Sequence, residues 1–387
     1  MATESAKEFM RWLDDAEVFE GKSLEPEHTS SRFGEIGSGI LSVISFLDRL
    51  LLVPLSPQRK VVLALGTLNG ANVSGVGLDC TSALMAVAGE TAELVALRRG
   101  AESSGSAERV TELLDRLSPR SSDEWSDVLS IDGGTSTVPA DLLRLGEGVM
   151  TPASEGCSAW TSPDGAKAGA LLELIERDAM TLWWAGGRPG TILEHDGPKD
   201  LWRYAPGGVE RSVYVIDVSV DASLPVVCAV SFRKDGRGFA SGAAAGLTLA
   251  EALQSALREL CQIELGQLLL ELQIWLDGRQ SIGEAGADEL QRAEVLDERE
   301  FRSEAFRSDP PRRMKLARGP SRDLATLVQR LTALDLRAYL ADLGTVGSMY
   351  VAKALSPDLQ SSNPQLPSAR LRALGAPFEF TKNLRLY

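Results

Sequence analysis

GALLELIERDAMTLWW, residues 169–184, reads as a buried helix, yet it carries Glu173, Glu176 and Asp178. Leu171, Leu172, Leu174 and Ile175 crowd around two carboxylates three residues apart. An acid in apolar surroundings is costly unless something pairs with it. What meets these acids decides how the chain is built.

The answer lies in an internal repeat. DCTSALMAVAGETAEL from Asp79, SPDGAKAGALLELIER from Ser162 and TLAEALQSALRELCQI from Thr248 align without gaps. Each begins with a helix-capping residue: Asp79, Ser162 followed by Pro163, and Thr248 with Glu251 completing a capping box. Four residues on stand Ala83, Ala166 and Ala252; seven on, Ala86, Gly169 and Ser255. Eleven on come Glu90, Glu173 and Glu259, and fourteen on Glu93, Glu176 and Gln262.

At about 100° per residue, all four offsets fall within about 40° of one line down a helix. Each helix therefore presents a stripe of small residues followed by a pair of oxygen-bearing side chains. The small residues leave room for something to lie on the backbone or for close helix approach. Glutamates three residues apart repel, and three converging stripes would concentrate five carboxylates and one amide. That accumulation calls for cations. Oxygen-only ligands suit Mg²⁺ or Ca²⁺ rather than zinc, and Mg²⁺ ordinarily shares its shell with water and nucleotide phosphates. The reading is an ATP site built from metal-bridged glutamates, in a chain with no GxxxxGK[ST] loop. Arg177 and Asp178 admit a simpler reading as a local ion pair. Trp183 and Trp184 read as core or a peptide-facing wall rather than a stacking platform.

Composition agrees with a globular protein. The 387 residues are 44% hydrophobic and 24% charged, with a net charge of −14 that disfavours a nucleic-acid partner. No uninterrupted apolar run approaches the roughly 18–20 residues of a membrane span, and the polar start resembles no targeting peptide, so no membrane association and a cytoplasmic location are expected. Cys80, Cys157, Cys228 and Cys261 are widely spaced, which argues against zinc or a disulfide framework and for mostly buried thiols. The two histidines, His28 and His195, lie in polar turn-like stretches, so histidine-based catalysis is not expected. The basic run PPRRMKLARGPSR, with Arg312, Arg313, Lys315, Arg318 and Arg322, reads as a solvated connector or, second, as a dock for an acidic partner.

Residues 1 to about 60 are helical in pattern (FMRWLDDAEVF, ILSVISFLDRLLLVPL). RKVVLALGTL, RSVYVIDVSV and LPVVCAVSF read as strands, the last two joined by DAS as a hairpin-like pair. SGSAERV and SPRSSDEWSD read as surface connectors, and LQSSNPQLPSARLR as a polar, proline-bearing stretch near the C-terminus. Strands mixed with helices point to an α+β or α/β domain.

These residues also carry a resemblance. SEGCSAW through GALLELIERDAMTLWWAGGRPG resembles the central signature of the YcaO family. SGVGLDCTSALMAVAGETAEL is similar to its first acidic helix, and VYVIDVSVDASLPVVCAV with SGAAAGLTLAEALQSALRELCQ to its strand pair and ExxQ helix. The likeness runs from about residue 70 to 270, with an echo at SMYVAKALSPDLQ. It implies an α+β fold of YcaO-like mixed sheets with three acidic helices converging on a nucleotide site, a helical region over 1–60 and a YcaO-like catalytic domain over 61–387.

The resemblance implies ATP and Mg²⁺ as cofactors and activation of a peptide-backbone amide by phosphorylation, most simply to close thiazoline or oxazoline rings from Cys, Ser or Thr. Thioamide or amidine formation with a TfuA-like partner, or a non-catalytic nucleotide-binding assembly protein, are the alternatives. Residue by residue, Glu90, Glu93, Glu173, Glu176 and Glu259 become metal ligands, and Ser154, Glu155, Arg177, Gln262 and Lys353 become nucleotide-facing residues. Lys353 stands where the family commonly has arginine, keeping the charge without the bidentate fork. Glu155, Leu94 and Ser255 depart from the family's usual asparagine or threonine, arginine and arginine. The chain ends APFEFTKNLRLY in place of a proline-rich tail, so either Tyr387 serves as the catalytic terminus or the base comes from elsewhere. The expected partners are a precursor peptide, a separate leader-peptide-binding protein resembling a ubiquitin-activating enzyme, a flavin dehydrogenase, and a second copy in a homodimer.

Overall fold

In the computed structural model, residues 16–25, 37–54, 62–101, 108–110, 113, 124–145, 154–195, 211–304, 312–314 and 322–375 are described. Three long helices form where the repeat predicts them: Cys80–Arg99, Pro163–Trp184 and Leu249–Asp277. Their starts are set locally. The Asp79 carboxylate accepts from the Ser82 amide at 2.7 Å, and the Ser162 hydroxyl accepts from the Gly165 amide at 3.2 Å. Thr248 and Glu251 exchange side chain-to-amide bonds of 3.2 and 3.1 Å in a full capping box. Each cap contributes about 1 kcal/mol.

The strands, numbered in chain order, form three sheets. The first, in the order β1 (Glu17–Glu20), β2 (Arg49–Pro54), β3 (Val62–Leu68), β4 (Ala71–Gly77), is antiparallel throughout. The second contains β5 (Glu108–Arg109), β6 (Trp125–Ser130), β7 (Thr135–Pro139), β8 (Cys157–Trp160), β14 (Tyr339–Val346) and β15 (Met349–Leu355), in the order β5-β7-β6-β14-β15-β8. The third contains β9 (Thr191–His195), β10 (Arg211–Asp217), β11 (Val226–Arg233), β12 (Ala240–Ala245) and β13 (Arg312–Met314), in the order β12-β11-β10-β9-β13. Apart from the parallel β5–β7 and β9–β13 pairs, the ladders are antiparallel, so the fold is α+β.

Each acidic helix follows a strand and lies back against it: β4, β8 and β12 respectively. Glycines allow the backbones to touch. A Cβ on Gly75 would stand 2.7 Å from the Val87 amide nitrogen, and one on Gly242 only 2.2 Å from that of Leu260. In the middle unit the glycine is on the helix, where a Cβ on Gly165 would meet the Trp160 ring at 2.0 Å.

The helix Cys80–Arg99 is long and apolar enough by composition to cross a membrane, but half of it is buried inside the protein. Ala83, Leu84, Val87, Ala88, Ala92 and Ala96 belong to one core cluster with strands of the first two sheets. Trp183 and Trp184 are buried with Phe301 in a second cluster and are core residues. Cys157, Cys228 and Cys261 are buried free thiols, and Cys80 is exposed.

Several expectations need correcting. Among the described residues of 1–60, the helical expectation holds for only one stretch. Within them Ser38–Ile44 is helical, but Glu17–Glu20 and Arg49–Pro54 are strands, and β2 pairs with β3 from Arg49↔Thr67 to Pro54↔Val62. A boundary at 60 therefore falls within a sheet. In the run LLLVPL, Leu50, Leu52 and Val53 are buried on strand β2, which an unbroken apolar stretch does not distinguish from a buried helix. The stretches SGSAERV and SPRSSDEWSD end in β5 and the start of β6. The polar stretch LQSSNPQLPSARLR is packed in: Gln360, Ser361 and Ser368 are buried, and Gln360 accepts from the Ser368 amide at 2.6 Å.

Candidate active site

The two strands RSVYVIDVSV and LPVVCAVSF pair antiparallel as expected, and β12 extends them to the foot of the third acidic helix. Across the three helices, the acid-bearing edges face one shared interior. Glu90 Oε2 accepts from the Ser74 amide at 2.6 Å, and Gln262 Nε2 reaches both the Ser74 hydroxyl (2.7 Å) and Glu90 Oε1 (3.5 Å). Glu93 Oε1 accepts from the Ala159 amide at 2.9 Å, tying the first helix to the strand of the second unit. Glu259 Oε2 accepts from the Ala243 amide at 2.9 Å. Arg177 stands between Glu173 (3.5 Å) and Glu176 (3.4 Å) as their local counter-ion.

The electrostatics link the helices into one system. Burial pushes the Glu90 carboxyl up to about 7, opposed by the Ser74 and Gln262 hydrogen bonds and reinforced by Glu259. Burial, with Glu173 and Glu90 nearby, pushes Glu93 up to about 8. Glu173, Glu176 and Glu259 are raised in the same direction, chiefly by burial, with Arg177 opposing in each case. Glu176 also feels Glu259, Glu173 and Glu155 as like charges.

Lys353, on β15, is buried and donates to the Glu155 carbonyl oxygen at 2.8 Å. Burial lowers its pKa, while Cys157, Glu173, Glu155 and Glu93 hold it up. Glu155 lies in the turn before β8 and is raised by burial, with Arg177 opposing. Its carboxylate accepts from the Ser362 hydroxyl and amide, each at 3.2 Å. Gly156 makes this turn possible: its φ is +72°, and a Cβ there would stand 2.5 Å from the Ala354 carbonyl oxygen. Ser154 is exposed at the same turn and lends its carbonyl to the Cys157 amide at 3.0 Å. Tyr387 lies outside the described residues, as does His28.

The donor set fits Mg²⁺. The five glutamates supply hard oxygen donors in a desolvated space, and Glu176 Oε1, buried, accepts no hydrogen bond among the described residues. Among those residues no group of three acidic, histidine or cysteine side chains stands placed to hold a metal ion.

One site residue escapes the sequence reading. Arg322, expected in a solvated connector, turns inward. Its Nη1 donates to the Ser158 hydroxyl (2.9 Å) and the Gly165 carbonyl (3.2 Å), and its guanidinium lies 4.0 Å from the Trp160 ring centroid. It occupies the space that the small-residue stripe leaves open: a Cβ on Gly169 would stand 2.2 Å from its Nη1. The connector reading also fails at Arg312–Met314, which pair with β9.

Comparison with known proteins gives the chain's family. The family model described as YcaO cyclodehydratase, ATP- and Mg²⁺-binding, matches residues 81–360, and the chain belongs to the YcaO family. ATP and Mg²⁺ are thus the cofactors of its family. No curated protein matches it. Among solved structures it is similar to a heterocyclase in complex with substrate and cofactor (TM-score 0.66, 17% identity), covering 90% of this chain and 54% of that one. The chain thus spans about half the length of that heterocyclase. It is similar to YcaO from Methanopyrus kandleri bound with AMPPCP and Mg²⁺ (TM-score 0.63, 19% identity; 89% of this chain, 93% of that). A chain of the E. coli microcin synthetase McbBCD complex also matches (TM-score 0.62, 15% identity; 81% and 88%).

Proposed function

We propose that this chain is the ATP-using subunit of a ribosomal-peptide-modifying enzyme, a cyclodehydratase forming thiazoline or oxazoline rings from Cys, Ser or Thr. The observation that carries the reading is the convergence of Glu90, Glu93, Glu173, Glu176 and Glu259 from three helices on one buried region. These glutamates would hold Mg²⁺. When bound, the magnesium nucleotide supplies a phosphoryl group that makes a backbone amide oxygen a leaving group, so that ring closure releases ADP and phosphate.

The chain's own residues prepare that chemistry. Backbone amides of Ser74, Ala159 and Ala243 fix one oxygen each of Glu90, Glu93 and Glu259. Arg177 pairs with both Glu173 and Glu176, and Lys353 and Gln262, close to the same acids, would face the nucleotide. Ser154 and Glu155 would border it at the turn before β8, and Tyr387 is the candidate catalytic terminus.

The precursor peptide would be presented by a separate leader-binding protein resembling a ubiquitin-activating enzyme, with a flavin dehydrogenase acting on the azolines, in the cytoplasm and on a homodimer. The similarity to a chain of the multiprotein McbBCD complex supports the need for partners.

The test is the intact mass of a co-expressed precursor together with peptide-dependent ADP release. Ring formation removes about 18 Da per site, whereas thioamide formation adds about 16 Da. Loss of ADP release in Glu90→Ala and Glu173→Ala is expected. Release unchanged in both would leave the assembly-protein reading standing.

A further inference from the structure

Gln360 and Ser362 lie two residues apart, so about 7 Å of chain at most separates them. Each gives its backbone amide to a different carboxylate. The Gln360 amide meets Asp178 Oδ1 at 2.8 Å, and the Ser362 amide and hydroxyl each meet Glu155 at 3.2 Å. Asp178 belongs to the middle acidic helix, and Glu155 to the turn before β8. A bridge of three residues thus ties that helix to that turn.

The bridge is braced from within. The buried Gln360 side chain donates to the carbonyls of Ser361 (2.8 Å), Asn363 (3.1 Å) and Leu366 (3.4 Å), and accepts from the Ser368 amide at 2.6 Å. Asp178 Oδ2 pairs at 2.9 Å with Arg370, on the short helix Ala369–Ala373 that follows. The segment from Gln360 to Arg370 therefore closes at both ends on one carboxylate.

Asp178 is turned away from the acid-bearing edge. Two residues beyond Glu176, it lies about 200° further around the helix. Both of its oxygens are engaged by the segment 360–370. Its reach toward the site runs through the bridge. The turn at the other end is held by β15 from its far side: Lys353 donates to the Glu155 carbonyl at 2.8 Å, and the Ala354 amide to the Gly156 carbonyl at 2.7 Å. With the carbonyls fixed from β15 and the carboxylate from Ser362, the turn has one orientation. In that orientation the Gly156 backbone meets Glu173.

We infer that Asp178 is a positioning residue for the acidic site: through Gln360 and Ser362 it sets Glu155, and with it the turn that meets Glu173. This rests on the nucleotide site proposed above. Asp178 touches neither metal nor nucleotide, and its effect on binding passes through Glu155.

The experiment uses the full chain, Mg²⁺ and a non-hydrolysable ATP analogue, with affinity read by calorimetry below each variant's unfolding midpoint. Where calorimetry lacks range, the rise in midpoint at saturating analogue serves instead. Asp178→Ala should weaken the analogue about tenfold, the scale of one hydrogen bond to a charged group. Asp178→Asn, which keeps an acceptor for the Gln360 amide, should recover part of that loss, and it carries the comparison if the alanine variant does not fold. The decisive measurement repeats the substitution in Glu155→Ala. With Glu155 gone, losing Asp178 should weaken the analogue by less than about twofold. An undiminished loss in that background would make Asp178 a structural residue only, and wild-type affinity in the single variants would equally overturn the inference. Failure of the wild type to bind the analogue with Mg²⁺ would instead overturn the nucleotide site itself.

Discussion

Glu90 and Glu259 are anchored by the same device. Each accepts a hydrogen bond from a backbone amide on the strand before its helix, Ser74 at 2.6 Å and Ala243 at 2.9 Å, sixteen residues upstream in both cases. Glu173 is met by the backbone of Gly156, seventeen residues upstream in the turn before β8. The repeat in the sequence is thus a repeat of strand, helix and hydrogen bond. Anchoring one oxygen of each acid orients it before any metal arrives, which is how outer contacts tune metal affinity.

The buried acids make the metal-free protein sensitive to alkali. Glu90 and Glu93 sit at about 7 and about 8, against an ordinary 4.5. Between those values the folded chain holds more protons than the unfolded one, so stability falls as pH rises. The contribution is full below the ordinary value and lost as pH climbs through the raised ones. Without metal, the unfolding midpoint should be lower at about pH 8.5 than at about pH 6.5. Added Mg²⁺ should stabilise more at the higher pH, where protons no longer compete for its ligands. A flat midpoint with pH would contradict this.

Lys353→Met should cost about 1–3 kcal/mol, because it removes a buried cation beside the acids and the donor to the buried Glu155 carbonyl. Denaturant unfolding measures the loss, and ATP-analogue affinity should fall with it.

Gly242→Ala and Gly266→Ala should differ in sign. A Cβ on Gly242 meets backbone atoms of the third acidic helix at 2.2 and 2.5 Å, whereas one on Gly266 meets nothing within 4 Å. The first should cost about 1–3 kcal/mol by forcing helix from strand. The second should gain up to about 1 kcal/mol from helix propensity. Equal effects on the denaturation midpoint would show that the helix does not rest on β12 this closely.

Asp178 acts at a distance from the acids. It accepts from the Gln360 amide at 2.8 Å and pairs with Arg370 at 2.9 Å, its side chain 3% exposed. Asp178→Ala should destabilise by about 3–5 kcal/mol. It should also speed amide exchange across residues 359–371, the segment that brings Ser362 to Glu155. Exchange unchanged there would separate Asp178 from that segment.

The acidic stripe was legible in the sequence because its signals are local: a cap, a helical period and a fixed offset to the glutamates. The strand pair around residues 211–233 was legible for the same reason. The fate of LLLVPL was not, since strand or helix depended on β3 being there to pair with it. Arg322 was hidden more deeply. Nothing in PPRRMKLARGPSR marks its last arginine, and only the fold brings Ser158, Trp160 and Gly169 around it. Ser362 and Gln360 were read as loop residues because hydrogen bonding across such separations leaves no periodic trace.

The place of β8 has a consequence for synthesis. Its only ladder among the described residues is with β15, from Tyr350↔Trp160 to Lys353↔Cys157. The middle helix and its acids can therefore form early on the ribosome, but the wall carrying them stays open on one side until the final third of the chain emerges. A nascent chain halted before residue 349 would bear the glutamates yet have nowhere to close a pocket.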